Sequence, residues 1–83
     1  MTDRRALDVC SADAAIGENV RACRIRMGLP LIDVASHLEM AVGDYLEAES
    51  GDLPLSVVDI VRLAHLFGVA IKDLMPNQSE FLR

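Results

Sequence analysis

The segment GLPLIDVASHLEMAVGDYLEAESG, residues 28–51, carries two short apolar patterns with helical spacing. Val34, Ala35 and Leu38 recur at steps that place them on one side of a helix, Leu31 to Leu38. Pro30 suits the start of that helix, because its φ is already helical and its missing N–H would have no partner there. Glu39-Met40-Ala41 reads as a tight turn. Tyr45 and Ala48 then give the inward face of a further helix, Val42 to Glu49, closed by the turn chemistry of Ser50-Gly51-Asp52. The charge in this region has one sign. Between Met27 and Val61 there is no Lys or Arg, but there are seven carboxylates: Asp33, Glu39, Asp44, Glu47, Glu49, Asp52 and Asp59.

Upstream, Ile16, Val20, Cys23 and Met27 repeat at three- and four-residue steps and predict a first helix ending at Met27. Asp13 is its candidate N-cap and Gly28 its left-handed C-terminal cap. Downstream, Ser56 with Asp59 forms a capping-box pattern. It opens a fourth helix, Ser56 to Phe67, that buries Val57, Ile60, Leu63, Ala64 and Phe67. Gly68 ends it, and Val69 to Met75 predicts a short fifth helix stopped by Pro76. No strand candidate survives. The chain is expected to divide into an arm over residues 1–13, with room for a partial helix, a compact all-α five-helix domain over 14–76, and a tail over 77–83.

Eighty-three residues, 52% of them hydrophobic and none of them Trp, allow one small aliphatic core. Apolar content this high in so short a chain leaves some apolar side chains on the surface, which favours partner contact or self-association. A formal net charge of -5 argues against general adhesion to nucleic acid or anionic membrane, though not against a local basic edge. Cys10 and Cys23 form no CxxC pair, and the chain reads as a reduced, cytoplasmic protein. MTDRRALDVC has no apolar run of the kind a secretory signal needs. The most apolar window, Leu53 to Ile71, contains Asp59, Arg62 and His65, so a buried amphipathic helix explains it better than a membrane span. His37 and His65 are separate in sequence, and no Cys/His spacing forms a metal site. No nucleophile, base and orienter trio is recognisable, and no glycine loop would cradle a phosphate. The sequence therefore gives no sign of an enzyme, a cofactor or a small-molecule substrate.

The joint spacing of Ile16-Gly17-Glu18, Arg24, Gly28-Leu29, Val34-Ala35, Leu38, Glu49 before Gly51, Leu63-Ala64, Phe67-Gly68-Val69 and Leu74 resembles the Cro/cI phage-repressor (XRE) helix-turn-helix family. The match runs from Ile16 to Met75 without a gap. The resemblance implies a lambda-repressor-like DNA-binding domain, with the third helix as recognition helix. It also implies an ion pair between Arg24 and Glu49 that joins the first helix to the end of the third. Ala35 is then the small residue that lets the third helix approach the second.

The positions that would read DNA depart from the family pattern. A polar residue followed by Gln usually opens the second helix, where Pro30-Leu31 and then Ile32 stand here. A Ser or Thr usually caps the recognition helix, where Ala41 stands. The outward positions are Ala41, Val42, Gly43, Asp44, Leu46 and Glu47, which with Leu31 and Ile32 make the candidate contact face. Base reading needs donors or acceptors at groove edges. Leu31, Val42 and Leu46 offer only methyl contacts, and Asp44 and Glu47 repel phosphates. Candidate phosphate contacts are Arg4 and Arg5 in the arm, and Arg21 and Arg26 on the first helix. Val58, Val61 and Leu66, with Met75, Phe81 and Leu82, are candidates for a homodimer face. Two functions follow: a dimeric DNA-binding transcriptional regulator, or a helix-turn-helix turned to contact with a transcription-related protein.

Overall fold

The computed structural model describes the backbone of residues 4–76 and the side chains of residues 13–76. Four α-helices follow one another: α1 (Arg4–Met27), α2 (Leu31–His37), α3 (Val42–Ser50) and α4 (Val57–Phe67). A single 3-10 turn, Ile71–Asp73, comes after α4 where a fifth α-helix was expected. Five helices therefore become four and a turn. Just beyond that turn, Asn19 Nδ2 donates to the Leu74 carbonyl at 3.1 Å.

The first helix begins at Arg4, so Asp13 lies inside it and caps nothing. Downstream the local chemistry is as read. Ser56 Oγ accepts from the Asp59 N–H at 3.1 Å, and Asp59 accepts from the Ser56 N–H at 3.4 Å. Gly28, Gly51 and Gly68 close α1, α3 and α4.

The core lies among the four helices. Val20 and Cys23 of α1, Val34, Ala35 and Leu38 of the α2 region, Tyr45 of α3, and Ile60, Leu63, Ala64 and Phe67 of α4 are buried, with Leu74 behind them. Each fully buried aliphatic side chain contributes about 1.5–3 kcal/mol of transfer free energy. Two apolar residues expected inside are outside: Met27 is 49% exposed and Val57 76%. Both lie on the correct helical stripe but at a helix terminus. Met27 is the last residue of α1 and Val57 the first of α4, so the stripe runs past the edge of the bundle.

Two glycines determine how α3 lies against α1. A Cβ at Gly17 would overlap the carbonyl oxygens of Ala48 and Glu49, so the two backbones meet at this point. Gly51 has φ +87° and ends α3 beside Ala14, a site that a Cβ would also obstruct.

The same substitution should therefore have opposite signs at two helical glycines. Gly43 faces open space, and Gly43→Ala should stabilise the fold by up to about 1 kcal/mol. Gly17→Ala should instead destabilise it by about 1–3 kcal/mol through overpacking. Urea denaturation of the two variants measures both.

Candidate recognition face

The turn between α2 and α3 contains Glu39, the first residue of the tight turn read from the sequence. Glu39 has φ 57°, the left-handed region that usually takes Gly or Asn. This reversal lets the Met40 N–H reach the Ala35 carbonyl at 2.9 Å and the Glu39 N–H reach Ser36 at 2.9 Å. Those bonds satisfy carbonyls that α2 would otherwise leave open. Ala35 is buried in the core. α3 then starts at Val42 with Ala41 as N-cap, and no side chain bonds its first amides.

Seven of the eight proposed contact residues are exposed: Ile32, Ala41, Val42, Gly43, Asp44, Leu46 and Glu47. Ile32 is 59% exposed and Leu46 44%. Leu31 differs. It is half-buried and packs on the core. Its spacing to Val34, Ala35 and Leu38 is three, four and seven residues, which places it on the same buried stripe of α2. That spacing was visible in the sequence.

α3 is held by Arg24. Its Nε donates to Glu49 Oε2 at 2.6 Å, its second terminal nitrogen donates to Oε1 at 3.3 Å, and its first donates to the Leu29 carbonyl at 3.1 Å. One guanidinium thus joins α1, the end of α3 and the loop before α2. The Glu49 hydrogen bond, against some desolvation, raises the Arg24 pKa. Tyr45 is buried next to the pair. Its hydroxyl finds no hydrogen-bond partner among the described residues, and burial, then the neighbouring Glu49, push its pKa up.

The other candidates are dispersed. Arg21 and Arg26 are exposed on α1. Arg21 lines a groove of about 590 Å³ between α1 and α3, with Leu46 on the opposite wall, so this cation borders the face. The side chains of Arg4 and Arg5 lie outside the described residues. So do Phe81 and Leu82. Of the remaining dimer candidates, Val58 is 58% exposed, while Leu66 is half-buried against the core. His37 and His65, separate in sequence, line one groove with Glu39 and Arg62. Among the described residues no group of three or more His, Cys, Asp or Glu could hold a metal ion, and no helix is long and apolar enough to cross a membrane.

Asn19 was missed entirely. An exposed-looking amide in mid-helix gives no signal that it will bond a carbonyl 55 positions away. Gly17 did give one, since a glycine inside an otherwise regular helix usually marks a close approach.

No family model and no curated protein matches the chain. Solved structures do. The restriction-modification controller protein C.AhdI from Aeromonas hydrophila superposes with a TM-score of 0.68 at 22% identity, over 75% of this chain and 94% of that one. The BldD DNA-binding domain from S. venezulae matches with a TM-score of 0.68 at 26% identity, over 80% and 99% of the two chains. The hypothetical transcription factor NHTF from Neisseria matches with a TM-score of 0.71 at 21% identity, over 86% and 82%. In fold this chain is a Cro/cI-type helix-turn-helix protein, as the residue spacing implied.

The Arg24–Glu49 pair gives a test of how α3 is held. The two side chains are 13% and 5% exposed. Arg24→Met strands a buried carboxylate and should cost about 3 kcal/mol, near the low end for a broken buried pair because solvent still reaches the guanidinium. The double variant Arg24→Met/Glu49→Leu should be more stable than either single change. A double-mutant cycle by chemical denaturation measures the coupling. A second variant, Glu39→Gly, should stabilise the fold by about 1 kcal/mol by relieving the left-handed turn, read as a rise in the urea midpoint.

Proposed function

We propose that this chain is a small transcriptional regulator that meets DNA as a homodimer and holds it weakly. The observation that carries the reading is the α2–turn–α3 unit itself, with α3 held outward by Arg24 and Glu49. A solvent-facing helix of this kind fits the major groove. The likeness to a BldD DNA-binding domain and to a hypothetical transcription factor supports the same reading. A homodimer would set two copies of α3 on half-sites about one helical turn apart. Exposed Val58 on α4 supports a two-fold contact on that side.

The weakness follows from the charges. Affinity for duplex DNA depends largely on cations that displace counterions. On α1, Arg21 and Arg26 are exposed, Arg21 bordering the face, and α2 and α3 supply no arginine. Methyl contacts from Val42 and Leu46 would discriminate only thymine.

A second reading is favoured by a specific observation. Ile32, Val42 and Leu46 are exposed beside Asp33, Asp44 and Glu47, and this surface suits protein better than phosphate. On this reading the same scaffold regulates through a transcription-related protein.

The salt dependence of DNA binding tests the first reading. With two cations per protomer, a dimer should show log K falling against log salt with a slope of roughly −4 or shallower. Arg21→Ala should make that slope shallower by roughly 2 in the dimer, about one unit per lost contact, and weaken all sequences alike. Fluorescence anisotropy on a labelled duplex measures both. A slope steeper than about −8 would overturn the reading.

A further inference from the structure

We infer that the α2–α3 face docks a basic amphipathic segment of another protein, one whose Lys or Arg side chains flank an apolar stripe. This rests on the second reading above and names its partner chemistry. Three apolar side chains are exposed on these two helices, Ile32 on α2 and, one turn apart on α3, Val42 and Leu46. None of the three belongs to the core cluster. Three carboxylates, Asp33, Asp44 and Glu47, are exposed on the same two helices. Among the described residues the Arg24–Glu49 pair is the one ion pair, and it engages none of the three.

Local roles explain part of this charge. Asp33 and Asp44 lie in the first turns of α2 and α3, where a carboxylate suits the helix dipole. Glu47 has no such role. It lies near the C-terminal end of α3, where the dipole favours a cation, and the last turn of α3 contains no basic residue. A cation from outside corrects that mismatch. Leu46, its neighbour, forms one wall of the groove between α1 and α3, where Ala14 and Ala15 are the other apolar lining and Glu18 and Arg21 are charged. The occupant therefore has positive charge at the rim and apolar groups at the centre, the complement of this surface. Duplex DNA offers the opposite charge and no exposed apolar stripe.

The test uses the full chain and three probes: a synthetic helical peptide with Lys flanking a Leu stripe, the same peptide with Glu in place of Lys, and a random 20-base-pair duplex. Each is labelled and titrated by fluorescence anisotropy against the wild type and Leu46→Arg/Glu47→Gln. Both positions are exposed, and circular dichroism checks that the variant remains folded. The basic peptide should bind the wild type at least tenfold more tightly than the acidic peptide, and the double change should weaken it at least tenfold. Equal binding of the two peptides would overturn the charge-matched partner while leaving a protein-binding face. Failure of both peptides, with duplex binding that the double change strengthens or weakens, would overturn the protein reading as well. Binding of the basic peptide that the double change leaves untouched would place the contact elsewhere and also overturn the inference.

Discussion

One guanidinium determines where the outward helix lies. Arg24 reaches the carboxylate of Glu49 and the carbonyl of Leu29, so α1, the end of α3 and the loop before α2 share one donor group. The pair need not add net stability, because desolvating both charges offsets much of their attraction. Its effect is geometric. With Gly17 allowing the backbones to touch and Gly51 ending α3 beside Ala14, the helix has little freedom to slide or roll. Every exposed side chain of α3 inherits its direction from that arrangement.

On this scaffold the fold and the surface chemistry point in different directions. The fold is that of proteins described as a controller of restriction-modification, a DNA-binding domain and a hypothetical transcription factor. The surface lacks the cations on which DNA affinity usually depends. Fold alone does not determine what a site binds. The proposed readings divide along that line, DNA contact resting on the fold and protein contact on the apolar and acidic side chains of the face.

Much of the architecture was legible because it rests on local rules. The capping box of Ser56 and Asp59, the left-handed glycines and the three- and four-residue spacings place α2, α3 and α4 to within a residue. The errors have distinct causes. Met27 and Val57 follow the apolar period but lie where the bundle ends, and periodicity carries no information about where a neighbour stops. Leu31 was assigned to the contact face by family position, although its own spacing to Leu38 puts it on the buried stripe. The fifth helix is a single 3-10 turn, and Asn19 bonds the carbonyl just beyond it, a contact no local pattern announces. The direction of the face residues was legible, since exposure follows from helical phase. Their ligand was not, since that depends on a second molecule.

Seven neighbouring positions, from Ile32 to Glu47, contribute little to the interior that holds the domain together. Substitutions at such sites usually shift stability by less than half a kcal/mol. These positions can therefore change without unfolding the domain, because the vocabulary of recognition is written on a layer separate from the frame. An experimenter can use the same freedom to recode the outer helix while Arg24, Glu49 and Gly17 stay fixed.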